Sequence, residues 1–153
     1  MAEALRENTT LFSLNLCKTL FTILGSNRLK VEGAKEIVSI MKDNITLREL
    51  FIGGNDFREE GGNAVATGIL SNRSITTLDL GALLWECYLI GWNDIGPEAA
   101  KTIAEALKEN NTLLSLAFSI FTSYYICSQE QDRSGGSDCN IWSSYGQLYA
   151  HFA

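Results

Sequence analysis

The sequence predicts an α/β solenoid of about four right-handed coils, with a parallel β-sheet on the concave side and helices on the convex side. Three observations predict it. Four stretches of the chain share one apolar spacing, three intervening stretches share another, and the two kinds alternate.

The strand stretches are TLFSLNL (10–16), TLRELFI (46–52), ITTLDL (75–80) and TLLSLAF (112–118). Each follows L-x-x-L-x-L, through Leu11, Leu14 and Leu16; Leu47, Leu50 and Ile52; Ile75, Leu78 and Leu80; and Leu113, Leu116 and Phe118. Alternation at the last two apolar positions suits a short strand with one buried face. The outward neighbours are then Ser13 and Asn15, Glu49 and Phe51, Thr77 and Asp79, and Ser115 and Ala117.

The helical stretches are GSNRLKVEGAKEIVSIMKDN (25–44), GGNDFREEGGNAVATGILSN (53–72) and GWNDIGPEAAKTIAEALKEN (91–110). Each opens on Gly-x-Asn, places Leu29, Phe57 or Ile95 two residues on, and continues at i, i+3, i+4 spacing. The apolar positions are Ile37, Ile40 and Met41; Val65 and Ile69; and Ile103, Ala106 and Leu107. Pro97 falls where a first helical turn tolerates proline. Asn44, Asn72 and Asn110 end the helices, and asparagine accepts the left-handed conformation common there.

Strand, asparagine turn, helix and return make one unit, and Leu47 to Ile75 spans 28 residues. This unit resembles the leucine-rich repeat family, in its long ribonuclease-inhibitor-like subtype, as found in NOD-like receptor repeat regions. The resemblance covers nearly all of residues 1–118. It implies that Asn27, Asn55 and Asn93 form a structural ladder whose amides satisfy backbone groups in the turns. A lone unit cannot bury both its strand face and its helix stripe, so stacking supplies the core.

Two periods are longer, at 36 and 38 residues, and both surpluses fall directly after L-x-L, at 17–24 and 81–90. Removing CKTLFTIL leaves LNLGSN, and removing GALLWECYLI leaves LDLGWN, both matching the intact LFIGGN. Two explanations stand side by side. Insertions at a strand exit can carry binding residues, with Phe21, Trp85 and Tyr88 as anchors. Alternatively, a splice boundary misread at one repeat phase produces text never selected to be there. Residues 119–153 also leave the pattern and are expected to be a poorly ordered, non-repeat tail in which RSGGSD reads as a loop. The opening MAEALRENTT resembles AEALKENNT at 104–112, so the chain is expected to be a slice of a longer repeat array.

Composition narrows the function classes. A net charge of −6 opposes nucleic acid and anionic lipid and suits a basic protein partner. No apolar run is long enough to cross a membrane as a helix, and the N-terminus is not a signal peptide, so the cytoplasm is expected. Cys17, Cys87, Cys127 and Cys139 lack C-x-x-C spacing and the chain has one histidine, His151, so thiols are expected rather than zinc or disulfides. Asn-x-Ser/Thr recurs at Asn8, Asn44, Asn72 and Asn110, but all four share one repeat position, which periodicity explains without glycosylation. Glu59 and Glu60 fit the preference of acids for helix N-termini, GGN at 53–55 is too short for a phosphate loop, and no nucleophile–base pair assembles.

The expectation is therefore a non-enzymatic protein–protein interaction module, without cofactor or metal. It recognises its partner through Ser13, Asn15, Glu49, Phe51, Thr77, Asp79, Ser115 and Ala117. By resemblance it fits the sensing or autoinhibitory repeat region of a NOD-like-receptor-type protein. The alternatives are a GTPase-activating regulator of a small GTPase, a ribonuclease-inhibitor-type enzyme inhibitor, or a truncated chain without independent function. Oligomeric state is not encoded in any feature of the sequence.

Overall fold

The computed structural model describes residues 2–17, 27–81, 93–120, 123–131, 137–143 and 146–149. The insertions apart from Cys17 and Gly81, and with them Phe21, Trp85, Tyr88 and Cys87, lie outside the described residues, as does His151.

The fold is α/β. Helices α1 (Ala2–Glu7), α2 (Lys30–Asp43), α3 (Arg58–Ser71) and α4 (Pro97–Glu109) alternate with strands β1 (Ser13–Asn15), β2 (Glu49–Phe51), β3 (Thr77–Asp79) and β4 (Ser115–Ile120). The four strands pair in parallel, each beside the next in sequence. Leu14, Leu50, Leu78 and Leu116 are aligned across them, so one leucine row points inward along the whole parallel sheet. The three L-x-x-L-x-L positions and the helix stripes meet in a single core. Leu47, Leu50 and Ile52, and Ile75, Leu78 and Leu80, are at most 1% exposed, as are Ile37, Ile40, Met41, Val65, Ile69 and Ile103.

Helix α3 is the central helix, and glycine lets its neighbours come close. A Cβ added at Gly61 would lie 3.2 Å from the Ala34 Cβ of α2, and one at Gly62 would lie 2.8 Å from the Ala99 Cβ of α4. The second contact is closer than Cβ atoms come and the first is tighter than most, so these glycines let α2 and α4 approach α3 closely. In the sequence they read only as weak helix formers; their packing role depends on residues that lie a whole repeat away.

One sequence expectation is corrected here. Asn44, Asn72 and Asn110 do not take the left-handed conformation: their φ/ψ angles are −80°/129°, −66°/137° and −93°/123°, all extended. Their side chains explain it, because each Oδ1 accepts N–H groups from the chain ahead, which requires the backbone to extend toward the next strand. Beyond the repeats, parts of residues 119–153 are described as strands. Strands β5 (Ser123–Gln131), β6 (Ser137–Ser143) and β7 (Gly146–Tyr149) continue the same sheet, pairing antiparallel from β4 onward. The tail leaves the repeat by reversing strand direction, with Leu116 opposite Cys127 and Ala117 opposite Ile126.

Candidate protein-binding surface

The sheet face turned away from the helices is built from two lateral rows. Ser13, Glu49, Thr77 and Ser115 are aligned in one, and Asn15, Phe51, Asp79 and Ala117 in the other. Strand alternation forces both rows outward once the leucine row between them is buried. The eight residues named from the sequence are thus brought together on one face, with adjacent strands about 4.8 Å apart.

They are not equally available. Ser13 and Asn15 are exposed, and Glu49, Phe51, Thr77 and Ser115 are half-buried. Asp79 and Ala117 depart from the expectation of a presented surface, at 7% and 1% exposure. Asp79 turns its carboxylate onto its own strand exit, where Oδ1 accepts the Gly81 N–H at 2.6 Å. In the sheet register Ala117 lies between Asp79 of β3 and position 126 of β5. Asn15 shares the Asp79 role, its Oδ1 accepting the Cys17 N–H at 2.9 Å. Glu49 is left as the one charge of the two rows that is not largely buried.

Behind this face the strand exits are held by Asn27, Asn55 and Asn93. The Asn93 amide donates to Ile52 O and Leu80 O, both at 2.9 Å, and its Oδ1 accepts the Asn55 N–H at 2.8 Å. The Asn55 amide donates to Leu16 O, Ile52 O and Gly53 O, and the Asn27 amide to Leu16 O at 3.0 Å. Each amide therefore ties carbonyls of its own or the preceding strand. Asn55 Oδ1 is buried without a partner among the described residues.

At the opposite end of the strands the corner asparagines do a similar job. Asn44 Oδ1 accepts the Thr46 and Leu47 N–H groups, and its amide reaches Leu5 O and Asn8 O. Asn110 accepts from Thr112 and Leu113 and donates to Ile69 O. These side chains, with Asn72, are at most 3% exposed, so no glycan can reach them.

The large apolar residues exposed among the described residues, Phe12, Ile45, Leu70 and Leu114, all lie at this helix-to-strand end. The sequence reading passed over them, although an apolar residue directly after the first Leu of L-x-x-L was a usable signal at Phe12 and Leu114.

Other features offer little chemistry. A cavity of about 230 Å³ is lined by Lys30, Val31, Glu32, Asp56 and Arg58, but Arg58 spends its guanidinium on Asp56 at 3.1 Å. That bond and the Asp56 charge raise the Arg58 pKa further above its ordinary value. The Glu60 carboxylate does the same for Lys35, hydrogen-bonded at 2.8 Å. Both pairs lie at the surface, where ion pairs contribute little to stability. Among the described residues no cluster of three His, Cys, Asp or Glu could hold a metal ion, and no helix is long and apolar enough to cross a membrane.

No family model matches the chain. The human "NACHT, LRR and PYD domains-containing protein 13" is 29% identical to it over 117 residues, which is 76% of this chain and 10% of that protein. The chain thus spans about a tenth of the length of this relative, and it is distantly similar to a protein with NACHT and LRR domains.

Proposed function

We propose that this chain is a non-enzymatic protein-recognition module of leucine-rich-repeat type. It would serve as part of a NOD-like-receptor-like sensing or autoinhibitory region and dock a basic partner on the sheet face opposite its helices. The observation that carries this reading is the alignment of Ser13, Glu49, Thr77 and Ser115, with Asn15 and Phe51 beside them, on one sheet whose opposite face is fully packed. A surface fixed in this way pays little ordering entropy on binding. Phe51 supplies the aromatic anchor, and Glu49 beside it accepts an arginine or lysine. The distant similarity to a NACHT- and LRR-domain protein supports the same class. Because the Asp79 carboxylate is held against its own strand exit, Glu49 acts alone, and modest affinity follows.

Affinity capture with the wild-type chain and the Phe51→Ala and Glu49→Lys variants tests this. A partner held by the wild type and lost by both variants is the expected result. A partner retained by both variants would remove this face from the function.

A further inference from the structure

The helix-to-strand rim carries a second surface of different chemistry, and the inference drawn from it rests on the reading of the chain as a protein-recognition module. Phe12 is 59% exposed, Ile45 71%, Leu70 45% and Leu114 49%. Exposed apolar side chains scattered singly need no explanation, but these are not scattered. Phe12 O accepts the Arg48 N–H, Arg48 O accepts the Thr76 N–H, and Thr76 O accepts the Leu114 N–H, each at 2.8 Å. Phe12 and Leu114 therefore end one lateral row, three strand spacings or about 14 Å apart. Ile45 adjoins this row through Arg48, and Leu70 lies at the preceding helix end beside Arg73. Arg48 donates to Ile45 O at 2.9 Å, and Arg73 donates to Leu70 O at 3.1 Å.

Those arginines set the sign of the surface. Corner segments 9–13, 45–49, 73–77 and 111–115 hold Arg48, Arg73 and Glu49 as their only charges, a net +1 on a chain of net −6. Glu49 belongs to the sheet-face row. Lys35, Arg58 and Arg6 pair with Glu60, Asp56 and Asp43. Arg48 and Arg73 instead donate to backbone carbonyls, which hold each guanidinium in place, and neither makes an ion pair among the described residues. A guanidinium held in this way beside exposed apolar side chains is complementary to a carboxylate flanked by large apolar residues.

We infer that this rim is a docking site for a partner segment in which acidic residues alternate with large apolar ones. The segment would cross the strands from Phe12 to Leu114, seat its apolar side chains at either end, and place carboxylates over Arg48 and Arg73. About four extended residues span that distance.

The test is fluorescence anisotropy with a labelled dodecapeptide repeating Phe-Glu-Asp-Leu. Controls carry lysine in place of its acids, or serine in place of its apolar residues. The full chain is expected to bind the acidic probe, to release it as salt is raised, and to ignore both controls. The double variant Phe12→Ser/Leu114→Ser should weaken binding about tenfold, the scale of one lost anchor. Arg73→Glu should weaken it similarly without touching the core, which keeps the test decisive should the double variant fold poorly. Phe51→Ala should bind the probe as the wild type does. Equal binding of the lysine control, undiminished binding by the rim variants, or no binding at all would each overturn the rim site. The capture experiment on the sheet face uses different variants and the opposite charge, so either surface can fail without the other.

Discussion

Two columns of asparagine run up this molecule and differ in how they survive irregular sequence. At the helix-to-strand corner, the Oδ1 atoms of Asn8, Asn44, Asn72 and Asn110 each accept two N–H groups, from the residues two and three positions ahead. That bonding is local, so it forms in every coil whatever lies elsewhere in the repeat. At the strand exit, Asn93 Oδ1 accepts its N–H from Asn55, a coil away. The equivalent donor for Asn55 is the Asn27 N–H, which follows the surplus at 17–24, and Asn55 Oδ1 has no partner among the described residues. Capping within a turn tolerates an insertion in the chain, whereas a bond between coils depends on the register of both.

The largest effect should come from the intact part of the inter-coil ladder. Asn93→Ala strands Leu80 O and the Asn55 N–H in a site where Asn93 itself is 1% exposed, while Ile52 O keeps the Asn55 amide. At roughly 1–3 kcal/mol for each buried orphan, a loss of about 2 kcal/mol or more is expected in urea denaturation. Asn27→Ala, on an exposed side chain, should cost under about 1 kcal/mol. Similar losses at the two positions would show that the ladder does not gain its strength from burial between coils.

How far the sequence told this in advance depends on the range of each signal. The leucine rows, the helix stripes and the outward residues of each strand repeat at fixed offsets within one coil, and the register places them where that periodicity indicated. The burial of Asp79 and Ala117 was not legible in the repeat, because Asp79 bonds the Gly81 N–H and Ala117 pairs with a β5 strand that follows no repeat. Asn44, Asn72 and Asn110 were assigned to the correct turn but the wrong conformation, since helix-end statistics say nothing of an Oδ1 bound two residues ahead. The rim apolar residues were overlooked because L-x-x-L directs attention to its leucines and treats x as filler.

A variant lacking residues 17–24 sharpens the same comparison at the next scale. It restores LNLGSN, the text that matches LFIGGN, and should bring the Asn27 N–H to Asn55 Oδ1 as the Asn55 N–H meets Asn93. Satisfying one buried acceptor is worth about 1–2 kcal/mol, and shortening the connection adds a small entropic gain. A higher urea midpoint is the expected outcome, and hydrogen exchange should show protection newly gained at the Asn27 amide. A destabilised variant, or an unprotected amide, would mean that residues 17–24 contribute more to this coil than the ladder bond they displace.

The smallest effect lies within the corner column, where one coil solves the inter-coil bond differently. The amides of Asn44 and Asn110 reach carbonyls of the preceding coil, but the Asn72 amide turns to Ile75 O at 2.7 Å, inside its own. The cross-coil bond is made instead by the Ser74 hydroxyl, which donates to Asn44 O at 2.6 Å with Ser74 only 4% exposed. Ser74→Ala should therefore cost about 1 kcal/mol, the net worth of one buried hydrogen bond. Ser74→Thr retains the donor and should recover most of it. Thr46→Ala provides the contrast: the Thr46 hydroxyl bonds Asn8 O at 3.1 Å, but the Asn44 amide bonds the same oxygen at 3.1 Å. That carbonyl keeps a donor when the hydroxyl is lost, so the thermal midpoint of Thr46→Ala should fall by less than that of Ser74→Ala. If the order were reversed, the hydroxyl of Ser74 would not be the substitute for an asparagine amide that its position between coils makes it.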